Sequence, residues 1–142
     1  MGKYEQINHT ADLAISVVGV DFIDLTRTAA AAWRDLVFGK KPLKNNESIK
    51  LEVKGETKEE LLVNFLSELN YLLHVKKWIC NEVKQLLFVD ERHFIRFKAI
   101  LTGEKYQAKR HDIQVEIKAV TFHQINIKND GHQLQTNIVF DT

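Results

Sequence analysis

"TKEELLVNFLSELNYLLHV", residues 57–75, is the stretch from which the architecture can be read. Leu61, Leu62, Phe65, Leu66, Leu69, Leu72 and Leu73 recur three and four positions apart, which lines one broad face of an α-helix with apolar side chains. Thr57 and Glu60 form a capping-box pair, so the helix begins here. Such a face must be buried, and the flanking sequence supplies the surface. Upstream, Ile49, Leu51 and Val53 alternate with Lys50, Glu52 and Lys54 and stop at Gly55, the period of a half-buried strand. Downstream, residues 83–89 and 94–101 flank the polar loop "DERH" as a predicted hairpin. Residues 113–127 are rich in Ile and Val and read as further strand. "NDG" at 129–131 is a hairpin-turn signal leading into a last strand over 134–140.

Farther upstream, residues 4–8 predict a short strand. Leu13, Ile15 and Val17 alternate before Gly19. Asp21 is a helix N-cap and Asp24 suits the positive helix start. Phe22, Leu25, Ala29, Ala32, Trp33 and Leu36 follow at helical spacing, with Gly39 as C-cap and Pro42 soon after. The order strand, strand, helix, strand, helix and then several strands predicts an α+β sandwich. Two helices pack on one face of a largely antiparallel β-sheet, in one domain over residues 1–142. No linker, low-complexity segment or internal repeat is evident.

The bulk numbers narrow the function classes. A 142-residue chain with 44% hydrophobic and 27% charged residues can bury one core and is not a disordered tail. A net charge of +1 argues against a protein whose main work is binding DNA, RNA backbone or an anionic membrane. Cys80 is the single cysteine, which rules out a disulfide within the chain and a thiolate-rich zinc site, and fits a reducing cytosol. The opening "MGKYEQINHT" has no apolar signal core, and no apolar run approaches the ~20 residues that span a bilayer. A cytoplasmic location without membrane contact is expected.

The common catalytic signatures are missing. The six glycines form no phosphate-cradling loop, and Ser16, Ser48 and Ser67 sit in no nucleophile elbow. Cys80 with His74 lacks an orienting partner. Glu68 reads as a helix carboxylate at the margin of the apolar face. The remaining candidates lie in three stretches. His9, Thr10 and Asp12 form a polar knot just before a strand; Asp141 and Thr142 follow the last apolar strand; Lys118 interrupts the apolar run 115–127. The plain readings are a turn, a polar tail and an outward lysine. The alternative is a pair of carboxylates, Asp12 and Asp141, brought together as hard oxygen ligands for Ca²⁺ or Mg²⁺, with a lysine nearby to balance charge. His123 reads as a surface or edge histidine. Lys105, Lys109, Arg110 and His111 make a local basic stretch, read as a solvated loop or, alternatively, a phosphate contact.

Taken together, "YEQINHTADLAI" at the start, "LLVNFLSELNYL" in the middle, "GEKYQAKRHDIQVEIKAVTFHQI" near the end and the closing "VFDT" resemble the archease family over essentially the whole chain. The resemblance implies a small cytosolic α/β protein that activates the tRNA-splicing RNA ligase. That ligase joins an RNA end bearing a 2′,3′-cyclic phosphate or 3′-phosphate to a 5′-hydroxyl, using GTP and a divalent metal. The activator speeds guanylylation of the ligase histidine and allows repeated turnover. It has no catalytic centre of its own and meets RNA through the ligase. The implied metal site, for Ca²⁺, consists of Asp12, Asp141 and Thr142. The lysine of the family's KAIT motif matches Lys118, and His9 matches a neighbour that shapes the site. One departure is the first helix, which reads "DFIDLT" where the family has a pattern like "SLEELF", so Ile23 and Thr26 stand at usually acidic and aromatic positions.

Two other readings stay open at this level. One is a general chaperone or RNA-modification partner of the same fold. The other is a metal-dependent hydrolase using Asp12, Asp141 and His9, weakened by the missing nucleophile and thin ligand set.

Overall fold

Gly19 ends one strand and Gly55 ends another, and six residues after each a leucine packs its backbone against the glycine. In the computed structural model, which describes residues 2–7 and 12–142, a Cβ on Gly19 would lie 2.4 Å from the Leu25 nitrogen, and one on Gly55 2.8 Å from the Leu61 nitrogen. The chain then enters a helix by the same device twice. Asp21 accepts from the Asp24 amide at 2.8 Å while the Asp24 carboxylate reaches back to the Val20 amide at 2.8 Å. Thr57 accepts from the Glu60 amide at 3.1 Å while Glu60 reaches back to the Glu56 amide at 3.4 Å. In each case an orphan helix donor and the amide of the preceding residue are satisfied together.

The elements in chain order are β1 (Lys3–Ile7), β2 (Leu13–Gly19), α1 (Phe22–Phe38), β3 (Glu47–Gly55), α2 (Lys58–His74), β4 (Trp78–Asp90), β5 (Ile95–Lys105), β6 (Ala119–Val120), β7 (Lys128–Asn129) and β8 (Leu134–Asp141). Two helices packed on antiparallel strands are as the sequence predicts. The strands divide between two sheets, however. One has the order β1-β2-β8-β6, with β7 also on β8; the other is β3-β5-β4. Alternation marks a strand but does not say which strand it pairs with, so the division is not visible in the sequence. Both helices bridge the two sheets: α1 packs on β2 and β4, and α2 on β3, β4, β5 and β6.

The core lies between them. Trp33, Phe38, Leu61, Leu62, Phe65, Leu66, Leu69, Phe97 and Phe140 are fully buried. Phe22 stacks on Phe97 at 5.1 Å, and Phe65 and Phe88 meet the same ring edge-on, so one aromatic cluster ties both helices to the β4–β5 hairpin.

Residues 113–127 differ from the predicted strand. Only Ala119–Val120 enters a ladder. Ile113, Val115, Ile117, Ile125 and Ile127 all turn to the core. Their alternation is that of an extended cover laid over the core, held by single backbone bonds such as Gln114 N–H to the Val37 carbonyl at 2.6 Å. The predicted turn over 129–131 is present: the Asn129 side chain accepts from the Gly131 amide at 2.8 Å, and Gly131 takes φ 92°.

Candidate functional site

Leu13, the first residue of β2, pairs with Phe140 of β8. One step further out, Asp12 and Asp141 stand at the same end of this strand pair. On the other edge of β8, Ala119 pairs with Asp141, and the Lys118 N–H donates to the Asp141 carbonyl at 2.7 Å. Backbone register alone therefore brings Asp12, Asp141 and Lys118 to one end of the five-stranded sheet. Asp12 is half-buried; Lys118, Asp141 and Thr142 are exposed. His9 and Thr10 lie outside the described residues.

This donor set consists of two side-chain carboxylates and the oxygens of Thr142. Among the described residues no group of three or more His, Cys, Asp or Glu side chains could hold a metal ion. Among the described residues these are hard oxygen donors, the kind that suits Ca²⁺ or Mg²⁺ rather than copper.

Lys118 also belongs to a groove of about 490 Å³ between the C-terminal half of α2 and residues 116–120. Ser67, Tyr71, His74 and Val75 line the helix side; Tyr71 and Val75 are exposed apolar side chains. The floor is fixed by Asn70, which is buried. Its Nδ2 donates to the Ile117 carbonyl at 2.8 Å, and its Oδ1 accepts from Trp33 Nε1 at 3.1 Å. The segment carrying Lys118 is thus hung from α2 on one side and from β8 on the other. Sequence reading overlooked Asn70. The signal was there: it is the one amide among Leu66, Leu69 and Leu73 on the apolar face of a helix.

Other sequence candidates have structural explanations. Cys80 is buried, and burial, then Glu82, pushes its thiol up to about 12, so it is no nucleophile. Arg110, exposed itself, pairs with the buried Glu104. His111 is buried between Phe38 and Tyr106, its Nδ1 accepting from the Gln107 amide at 2.9 Å and its Nε2 3.3 Å from Glu104. Burial, then the Arg110 charge, holds the imidazole below its ordinary value. Of the predicted basic stretch Lys105, Lys109 and Arg110 are exposed, and Arg110 is committed to Glu104. Glu68 is half-buried on α2, and no helix among the described residues is long and apolar enough to cross a membrane.

An α+β protein of two sheets bridged by two helices, with an exposed acidic sheet end beside a lysine-bearing groove, defines the class. The Archease protein family (MTH1598/TM1083) matches residues 4–142. The chain is 31% identical over 129 residues to a protein named archease from Pyrococcus furiosus, covering 90% of this chain and 89% of that one. It is 30% identical over 139 residues to that of Methanosarcina barkeri, covering 98% and 95%. Among solved structures, Methanobacterium thermoautotrophicum protein 1598 superposes with a TM-score of 0.82 at 21% identity, over 98% of each chain. A Thermotoga maritima crystal structure described as an archease, possible chaperone, gives 0.65 at 24% identity, over 97% and 96%. The chain belongs to the Archease protein family.

Proposed function

We propose that the chain is a protein cofactor that activates a tRNA-splicing RNA ligase. It promotes GTP-dependent guanylylation of the ligase histidine and repeated turnover in tRNA splicing or RNA repair, acts in the cytoplasm, and meets RNA through the ligase. The single observation that supports this reading is the meeting of Asp12, Asp141 and Lys118 at one exposed sheet end. Asp12, Asp141 and Thr142 would hold a divalent cation, Ca²⁺, with His9 shaping the site. The ion would offset the repulsion between two neighbouring carboxylates. Lys118, on the same edge, would meet an anionic group of the partner. No group of this chain forms or breaks a bond in the ligation.

The test is ligase guanylylation with GTP, with and without this protein, beside Asp12→Ala, Asp141→Ala and Lys118→Ala. Acceleration by the wild type and its loss in the folded variants is expected. A wild type without effect on the ligase of its own genome would sink the proposal. A general chaperone role is the second reading, favoured by the description of the Thermotoga maritima relative. It predicts suppression of aggregation of an unrelated unfolded protein, independent of Asp12 and Asp141. A metal-dependent hydrolase would show phosphodiesterase activity lost in Asp12→Ala.

A further inference from the structure

A second groove, of about 720 Å³, lies on the three-stranded sheet, not the five-stranded one that carries Asp12 and Asp141. Its cations are Arg27, Lys50, Lys84 and Lys98, and Leu87 and Ile100 lie among them. The register interleaves the two kinds. Lys50 faces Ile100 across β3–β5, and Lys98 faces Leu87 across β5–β4. A ladder irregularity between Val83 and Gln85 leaves Lys84 outside the pairing.

Two features show that this face is not a self-satisfied surface. First, its charge is unbalanced. Glu52, the one carboxylate in the lining, is bound by Arg96. Lys50, Lys84 and Lys98 make no ion pair among the described residues, and the Arg27 guanidinium donates to the Val83 carbonyl instead of a carboxylate. In a chain of net charge +1, positive charge is concentrated here. Second, Leu87 is 59% exposed in the midst of those lysines. No aromatic ring lines the groove, so it offers no platform for stacking nucleic-acid bases. Aliphatic side chains interleaved with unpaired lysines complement carboxylates and aliphatic side chains on one polypeptide segment.

We propose that this groove docks an acidic amphipathic segment of a partner protein. Its aliphatic side chains rest on Leu87 and Ile100, and its carboxylates meet Lys50, Lys84 and Lys98. The inference is independent of the ligase reading, because it concerns a different sheet.

The test is an amide-shift titration of the ¹⁵N-labelled full chain with three probes. These are a synthetic helical peptide with Glu on one face and Leu on the other, a scrambled peptide of the same composition, and single-stranded poly(U). Expected are shifts at residues 50, 84–87 and 98–100 with the amphipathic peptide, and affinity falling as salt is raised. Binding should weaken about tenfold in Lys98→Glu and again in Leu87→Gln. The double variant Lys50→Gln with Lys98→Gln removes charge without reversing it and stands in if Lys98→Glu loses its dispersed spectrum. Shifts mapping elsewhere, equal binding of the scrambled peptide, or tighter binding of poly(U) at these residues would each overturn the proposal.

Discussion

Asn70 shows how much one side chain can hold. It satisfies a buried indole N–H and a buried carbonyl at once. Asn70→Leu keeps the volume but orphans both, and is expected to cost about 1–3 kcal/mol in urea unfolding. It should also loosen the Lys118 segment, so activation of a ligase would fall even at temperatures where the protein stays folded. Tyr4 is a second case. Its hydroxyl donates to Asp35, and burial, then that bond, raises its pKa to about 12. Below pH 10 the phenol is protonated whether folded or unfolded. Between 10 and about 12 only the unfolded chain ionises, so stability should fall as pH rises through that window. In a phenolate absorbance titration Tyr4 should ionise late, and Tyr4→Phe should remove that phase. Cys80 should resist thiol reagents in mildly alkaline buffer until the chain is unfolded.

At the scale of elements, the two strand–helix joints make a matched pair. Glycine, cap and N3 carboxylate stand at the same spacing in Gly19-Val20-Asp21-Phe22-Ile23-Asp24-Leu25 and in Gly55-Glu56-Thr57-Lys58-Glu59-Glu60-Leu61, and each leads into a helix of 17 residues. The repeat escaped the sequence reading because only the glycine, cap, N3 carboxylate and following leucine recur; the residues between them do not. Gly19→Ala pushes a Cβ into helix backbone at 2.4 Å and is expected to destabilise by about 1–3 kcal/mol in chemical denaturation, and Gly55→Ala, at 2.8 Å, by less. Equal and negligible losses in both would show that the strand ends give way. Caps and hairpin turn were legible because each is a local hydrogen-bond requirement written into two or three adjacent residues. Residues 113–127 were not. Burial alternates there as in a strand, but a ladder needs a paired neighbouring edge, and within this segment only Ala119–Val120 has one, at the tip of β8.

For the whole molecule, the same contrast governs the site. Asp12 and Asp141 lie at opposite ends of the chain, and each alone reads as a turn or tail residue. Only the pairing of Leu13 with Phe140 joins them, and pairing is a property of the assembled sheet. The family's motifs pointed to these residues, while composition and periodicity did not. Hydrogen exchange should separate the two halves of this arrangement. Amides of β2, β8, β4 and β5 are expected to be the most protected. Those of residues 113–127 should exchange faster, apart from the bonded Gln114, Lys118, Thr121, Ile125 and Ile127. Uniform protection across 113–127 would contradict the cover described above.

Strand β8 is bonded along one edge by β2 and along the other by β6 and β7. It is held along one side throughout and at both ends of the other, with Asp141 and Thr142 at its tip. Such a tip has little give. Whatever meets Asp141 encounters a probe of fixed position and direction, and the conforming has to be done by the visitor.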